Sequence, residues 1–194
     1  MTLKTLTIKP CPSISEKLTY QFETKMMKDI LDLENHFSIY RAYHRNPMNI
    51  IIHNIFVWPI FFNSLILFYF TPPLFQLPFF GGLHINFAFL AVLFYSLFCI
   101  ALDSKAGSLA ALLCLLCWFG SQLLAASLGF SLAWKVVLAS LLLSWMGQSI
   151  GHGVFEKQAP ALLDNISLAF LMAPFFVLLE VFFPYIYIFI YSTN

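Results

Sequence analysis

Charged side chains are scarce in this chain. Only 10% of its 194 residues are charged and 60% are hydrophobic, whereas ordinary globular domains carry about 25% charged residues. A soluble domain of this size could not bury so much apolar surface, because much of a small domain stays in contact with water. The composition therefore predicts a membrane protein and excludes an intrinsically disordered chain.

Several sequence signals of other function classes are also absent. The net charge is +1 without a dense basic run, so no nucleic-acid partner is expected. The sequence contains no HExxH motif, and its five histidines lack the HxxxH and HxxHH clusters typical of di-iron desaturases. Cys114 and Cys117 form a CxxC without a second pair, so we expect them to pack as small apolar side chains.

Long apolar runs follow residue 49. The candidate spans cover residues 50–70, 85–101, 106–127, 132–150 and 166–190. Each is near the ~20 residues that a helix needs to cross about 30 Å of hydrocarbon, and a helix satisfies its own backbone hydrogen bonds there. The predicted fold class is all-α: a polytopic transmembrane helical bundle of four to five spans, since the second span is short.

The polar N-terminal arm has a helical pattern of its own. Between about residues 15 and 43, apolar side chains recur at steps of three and four, namely Leu18, Phe22, Met26, Ile30, Leu33 and Phe37. This spacing predicts an interfacial amphipathic helix in front of the bundle. The Asn46-Pro47 pair is expected to end it, because the residue before proline avoids the α-helical region.

The basic residues predict the orientation of the bundle. With five spans, nine of the ten Lys and Arg side chains fall on the side of residue 49, and only Lys135 falls on the other. The positive-inside rule makes the side of residue 49, here called side A, cytoplasmic. The N-terminus is then cytoplasmic as well.

Three of the five histidines are expected on side A. His44 and His53 flank the start of the first span, and His152 follows the end of the fourth. Pro47 interrupts the helix between the first two, so their imidazoles can approach one point. Gln148 and Glu156 lie one turn before and after His152, on the same face of a continuous helix.

Three imidazoles and a carboxylate suit a divalent transition metal. Two histidines and a carboxylate with open positions form the arrangement of non-haem Fe(II) oxygenases. The same polar groups could instead cap helices and bond across a bundle without metal, as in a transporter or a structural membrane protein. Glu180, in the last span, is expected about 22 Å from side A at ~1.5 Å per residue, as a structural acid far from the histidines.

Two polar blocks carry a resemblance to a known family. The first is His44-x-x-Pro47-x-Asn49-x-x-x-His53, and the second runs from Gln148 through Gly151-His152, Phe155-Glu156 and Pro160-Ala161-Leu162 to Asp164-Asn165. Over roughly residues 31–183 the chain resembles the 2-hydroxy-fatty-acid dioxygenases of the endoplasmic reticulum membrane, whose yeast member acts in phytosphingosine breakdown. We expect two regions: an N-terminal extension over residues 1–30, which looks like an addition to the yeast-type protein, and an integral membrane domain over residues 31–194.

The resemblance implies a specific activity and site. It implies an Fe(2+)-dependent dioxygenase that consumes O2 and shortens a 2-hydroxy fatty acid by one carbon, within sphingolipid long-chain-base degradation. His44, His53 and His152 carry over as metal ligands, and Glu156 is expected as a further ligand or as a partner of one. The residues expected to contact the substrate or to orient the ligands are Asn49, Gln148, Asp164 and Asn165. Membrane lipid is the expected surrounding, with the metal site at the cytoplasmic face; a non-enzymatic multi-pass protein is the alternative.

Overall fold

A computed structural model describes residues 25–26, 28–76, 84–158 and 166–191. The predicted N-terminal extension up to residue 24, and the predicted site residues Asp164 and Asn165, lie outside the described residues. Within them the chain is helical apart from one short strand pair. The elements are α1 (Leu33–Tyr43), α2 (Pro47–Tyr69), β1 (Phe75–Gln76), β2 (His84–Ile85), α3 (Phe87–Leu102), α4 (Ser104–Ile150), a π-helical segment (Gly151–Glu156, the π segment) and α5 (Ile166–Tyr191).

Asparagine and aspartate side chains begin the first four helices. Asp32 accepts from the N–H of Asn35 at the start of α1, and Asn46 accepts from that of Met48 at the start of α2. Asn86 and Asp103 cap α3 and α4 in the same way. Such caps satisfy amide groups that a helix leaves unpaired at its first turn. The break predicted at Asn46-Pro47 is therefore confirmed, with Asn46 as the cap and Pro47 as the first helical residue.

Within the described part of the chain, two helices are long and apolar enough to cross a membrane: Pro47–Tyr69, and Ser104–Glu156, which comprises α4 and the π segment. Shorter apolar helices cover Phe87–Leu102 and Phe170–Phe182. The large apolar side chains left exposed by these helices are numerous, among them Phe94, Leu116, Leu123 and Leu143. This outward apolar surface is the one that a bilayer would cover.

The long helix α4 reverses direction at Gly129. That residue has φ 65° and ψ 161°, outside the helical range. In a straight helix Gly120 and Gly147 would lie about 40 Å apart, yet they lie against Phe62 and Phe56, which are less than two turns apart on α2. Both halves of α4 therefore pack on α2, the first parallel to it and the second antiparallel.

The second half of α4 follows α2 back to its beginning. The Nδ2 atom of Asn63 donates to Ser140 Oγ at 2.7 Å, and Gly151 lies directly against the Asn49 side chain. At the far end, the rings of Phe70 and Phe130 are 5.3 Å apart. This pairing brings residue 152 to the same end of the bundle as residue 53.

Helix α1 is part of the bundle. The rings of Phe37 and Tyr40 lie 5.6 Å and 5.1 Å from that of Phe176 on α5, and Leu33 packs against the same core. The predicted amphipathic helix is present over residues 33–43, and its apolar face packs on α5. Its position relative to a membrane surface stays a prediction. The apolar periodicity was genuine, but a neighbouring helix, and not lipid, covers that face.

Helices α3 and α4 approach closely where α4 begins. At Gly107 a Cβ atom would collide with the carbonyl group of Cys99 and with Ile100 Cα. Small residues are common where membrane helices pack backbone to backbone.

We predict that Gly107→Ala destabilises the protein, because the added methyl group meets backbone that can move only if the two helices separate. The expected loss is about 1–3 kcal/mol, measured as a lower midpoint of thermal unfolding in detergent. Gly120→Ala is the matched control, since its Cβ would lie 3.4 Å from Phe62 Cε2, an ordinary contact. Equal midpoints for the two variants would contradict the prediction.

Candidate metal centre

Three chain segments deliver one histidine each to the start of α2. His44 ends α1, His53 lies on the second turn of α2, and His152 is the second residue of the π segment. Their side chains are buried, with 6%, 6% and 5% of their surface exposed. We call these three residues the histidine cluster.

The three imidazoles form a closed triangle. Ring centroids are 4.4 Å apart for His44 and His53, 5.0 Å for His44 and His152, and 4.9 Å for His53 and His152. One nitrogen from each ring can be chosen so that all three lie within 4.8 Å of one another. The convergence that the spacing and topology predicted for these residues is thus present in the structure.

The nitrogens of the cluster fit a bound metal ion. The Nε2 atoms of His53 and His152 are 3.0 Å apart, so a proton or an ion has to lie between them, because two bare lone pairs repel. Two ligands bound to one ion at about 2.1 Å and about 90° apart would have the same separation. The Nε2 atom of His44 is buried and has no hydrogen-bond partner among the described residues, as expected for a third metal ligand.

The contacts of His44 leave its Nε2 atom unprotonated and able to bind a metal ion. Its Nδ1 atom lies 2.8 Å from the Tyr40 carbonyl oxygen, so Nδ1 carries the proton and donates it. Metal-binding histidines commonly donate their second ring N–H to a carbonyl in this way. Burial lowers the pKa of His44 to about 4, and the ring is therefore neutral near pH 7, as a ligand must be.

The π segment places His152. It begins at Gly151, where any side chain would collide with Asn49 Oδ1, and it is followed by Lys157, which has a left-handed backbone with φ 56°. The N–H of Lys157 donates to the carbonyl of His152. π-Helical turns inside α-helices occur frequently at functional sites.

Glu156 lies beside the cluster, with its carboxylate turned to the backbone of the α1–α2 junction. Oε1 accepts from the N–H of Arg45 at 2.6 Å, and Oε2 accepts from the N–H of Asn46 at 2.9 Å. Asn49 is fully buried, and its Nδ2 atom lies 3.5 Å from Glu156 Oε2. Direct metal binding by Glu156 stays a prediction, and these contacts favour the alternative of a partner to the ligands.

Some of the other polar residues considered from the sequence are described by the structure, and some are not. Gln148 is half-buried one turn before His152, and its backbone carbonyl accepts from the N–H of Gly151. His36 lies outside the cluster and bonds to the Asp29 carbonyl at 3.0 Å. Asp164 and Asn165 lie outside the described part of the chain, and their assignment stays a prediction.

Glu180 is close to the cluster, contrary to expectation. Its Oε2 atom accepts from Tyr40 Oη at 3.1 Å, and its Oε1 atom is paired with Arg41 at 3.3 Å. The expected position about 22 Å from side A is therefore wrong. The estimate assumed that the last helix starts at side A and that α1 lies apart from the bundle, whereas α1 packs on α5 beside Glu180.

Tyr40 is a residue of this site that the sequence reasoning missed. Its ring is stacked on that of His44 with centroids 4.0 Å apart, and its hydroxyl bonds to Glu180. The available signal was its position one helical turn before His44, which places both on one face. The bond to Glu180 crosses the bundle and leaves no trace in local spacing.

Comparisons with known proteins agree with the family resemblance. The sequence profile of a family described as "2-hydroxy-palmitic acid dioxygenase Mpo1-like" matches residues 30–184. The 2-hydroxy-palmitic acid dioxygenase MPO1 of Saccharomyces cerevisiae is 34% identical over 155 residues, which covers 80% of this chain and 82% of the yeast protein. No solved structure matches the chain.

We predict that Tyr40→Phe destabilises the protein, since it removes the hydroxyl that reaches Glu180 across the bundle. A hydrogen bond to a carboxylate contributes about 1–3 kcal/mol, so the midpoint of thermal unfolding should fall. Ser38→Ala is the matched control, because it removes an exposed hydroxyl of the same helix that bonds to the nearby Asn35 carbonyl. An equal decrease of the unfolding midpoint in both variants would show that the Tyr40–Glu180 hydrogen bond does not stabilise the protein.

Proposed function

The chain belongs to the Mpo1-like family, and from this membership we propose that it is an Fe(II)-dependent dioxygenase of 2-hydroxy fatty acids. The proposed reaction is an α-oxidation that consumes O2 and yields an acyl chain one carbon shorter. We place it in the degradation of phytosphingosine, a sphingolipid long-chain base. The observation that carries the proposal is the closed triangle of His44, His53 and His152.

The histidine cluster is the proposed holder of the iron. His44 would bind it through Nε2, since its Nδ1 atom is occupied by the Tyr40 carbonyl. His53 and His152 would bind through the Nε2 atoms that already face each other. Imidazole donors suit several divalent metals, and iron is proposed because the similar yeast protein is a dioxygenase. Bound iron would supply the redox chemistry towards O2 that protein side chains lack.

The proposed role of the protein's own residues is to orient the substrate and to keep bulk water away from the reacting head group. The cluster is almost fully buried, which restricts bulk water around the reacting head group. Arg45 is exposed next to His44, and we propose that it attracts the carboxylate of the 2-hydroxy acid. The acyl tail would extend along the apolar outer surface of the helices, where the substrate already resides in a membrane.

The proposed setting is the endoplasmic reticulum membrane. The reversal at Gly129 supports four crossings, by α2, α3 and each half of α4. The cluster then lies at the cytoplasmic face together with the N-terminus. The non-enzymatic alternative is disfavoured by the family, whose description names a dioxygenase.

We predict that His53→Ala and His152→Ala each lose both bound iron and turnover. Loss of a hydrogen-bond partner of a ligand costs about 10–100-fold in metal affinity or activity, so loss of a ligand should cost more than about 100-fold. Iron is measured by mass spectrometry of the purified protein, and turnover by acyl-chain analysis after incubation with a 2-hydroxy fatty acid. His36→Ala is the control, as His36 lies outside the cluster; unchanged turnover in both test variants would contradict the proposed function.

We also predict the sidedness of the loops. An N-glycosylation acceptor inserted between residues 77 and 83 should be glycosylated in microsomes, because this loop is proposed to face the lumen. The same acceptor inserted near residue 10 should remain unmodified. The reverse pattern would contradict the cytoplasmic placement of the metal centre.

A further inference from the structure

Glu156 connects the two parts of the chain that supply the histidines. It lies four residues after His152, at the end of the π segment. Its two carboxylate oxygens accept from the backbone N–H groups of Arg45 and Asn46, the two residues that follow His44. One side chain therefore spans a sequence separation of about 110 residues at the edge of the histidine cluster.

The contact is specific to an ionised carboxylate. Two adjacent backbone N–H groups are bound by its two oxygens, at 2.6 Å and 2.9 Å, and hydrogen bonds to a charged acceptor are shorter and stronger than neutral ones. These amides precede the first turn of α2, whose N-terminal end carries partial positive charge. An amide side chain such as Gln offers one oxygen acceptor, and its –NH2 group would face an N–H donor.

Neighbouring contacts hold the same two segments together. Asn46 Nδ2 donates to the Phe155 carbonyl at 3.1 Å, and Gly151 lies against the buried Asn49 side chain. These contacts join the π segment to the start of α2 on either side of His152. The carboxylate of Glu156 contributes the only negative charge among them.

The geometry does not favour Glu156 as a ligand. The described residues that can share one ion are the three histidines, and Glu156 is not among them. The two carboxylate oxygens are instead bound to the amides of the α1–α2 junction. The carboxylate therefore joins the segment that carries His152 to the residues that follow His44.

We propose that Glu156 is a positioning residue that sets the distance between His152 and the other two histidines by bonding to the amides of Arg45 and Asn46. The inference rests on the proposed function, because it assumes that the cluster binds a metal ion. It replaces the role of ligand with that of a carboxylate that holds the ligands in place.

The test is a titration of the purified, metal-free full-length protein with Co(II), whose visible spectrum reports the number and type of its ligands. The variants are Glu156→Gln and Glu156→Ala, with His152→Ala as the variant that removes a ligand. We expect the wild-type spectrum at saturating Co(II) in both Glu156 variants, but with a dissociation constant about 10–100-fold higher. The loss should be larger for Glu156→Ala than for Glu156→Gln, which retains one acceptor.

Two results would overturn the proposal. One is a spectrum of Glu156→Ala that departs from the wild type as that of His152→Ala does, which would make Glu156 a ligand. The other is an unchanged dissociation constant in both Glu156 variants, which would leave the carboxylate without influence on the cluster. If Glu156→Ala does not fold, Glu156→Gln decides by the same two criteria. Failure of the wild-type protein to bind Co(II) at all would instead contradict the metal centre, and with it the proposed function.

Discussion

The antiparallel packing of the second half of α4 against α2 is the interaction on which the histidine cluster depends. His53 belongs to one helix and His152 to the continuation of the other, so their rings meet only if the two helices keep a fixed register. That register is held by a hydrogen bond between Asn63 and Ser140 and by the close contact of Gly151 with Asn49. The reversal at Gly129 makes the pairing possible, because it returns the chain to the end of α2 from which it started.

Much of this arrangement could be predicted from the sequence. The boundaries of α2 and α3 follow from the apolar runs, and the start of α2 also from the Asn46-Pro47 pair. The convergence of the histidines followed from counting the predicted spans, since an even number of membrane crossings returns residue 152 to the side of residue 44. Two separate apolar runs around residue 129 already indicated the turn that divides α4.

The contacts that surround the cluster could not be predicted in the same way. Hydropathy indicates that a side chain leaves water, but it does not distinguish lipid from another helix, because both are apolar. The apolar side of α1 was therefore assigned to the membrane surface, although α5 covers it. Glu180 was misplaced for the same reason, and the bonds of Glu156 to backbone amides leave no pattern in the sequence, because an amide is present at almost every residue.

The π segment gives the site a narrow tolerance in chain length. A π-helical turn closes its hydrogen bonds over five residues, where an α-helical turn uses four. A deletion of one residue within 151–156 would remove a position from this wider turn and shorten the path from His152 to Glu156. The carboxylate of Glu156 would then no longer be in register with the amides of Arg45 and Asn46. The number of residues between Ile150 and Lys157 is therefore fixed by the contacts at both ends of the π segment.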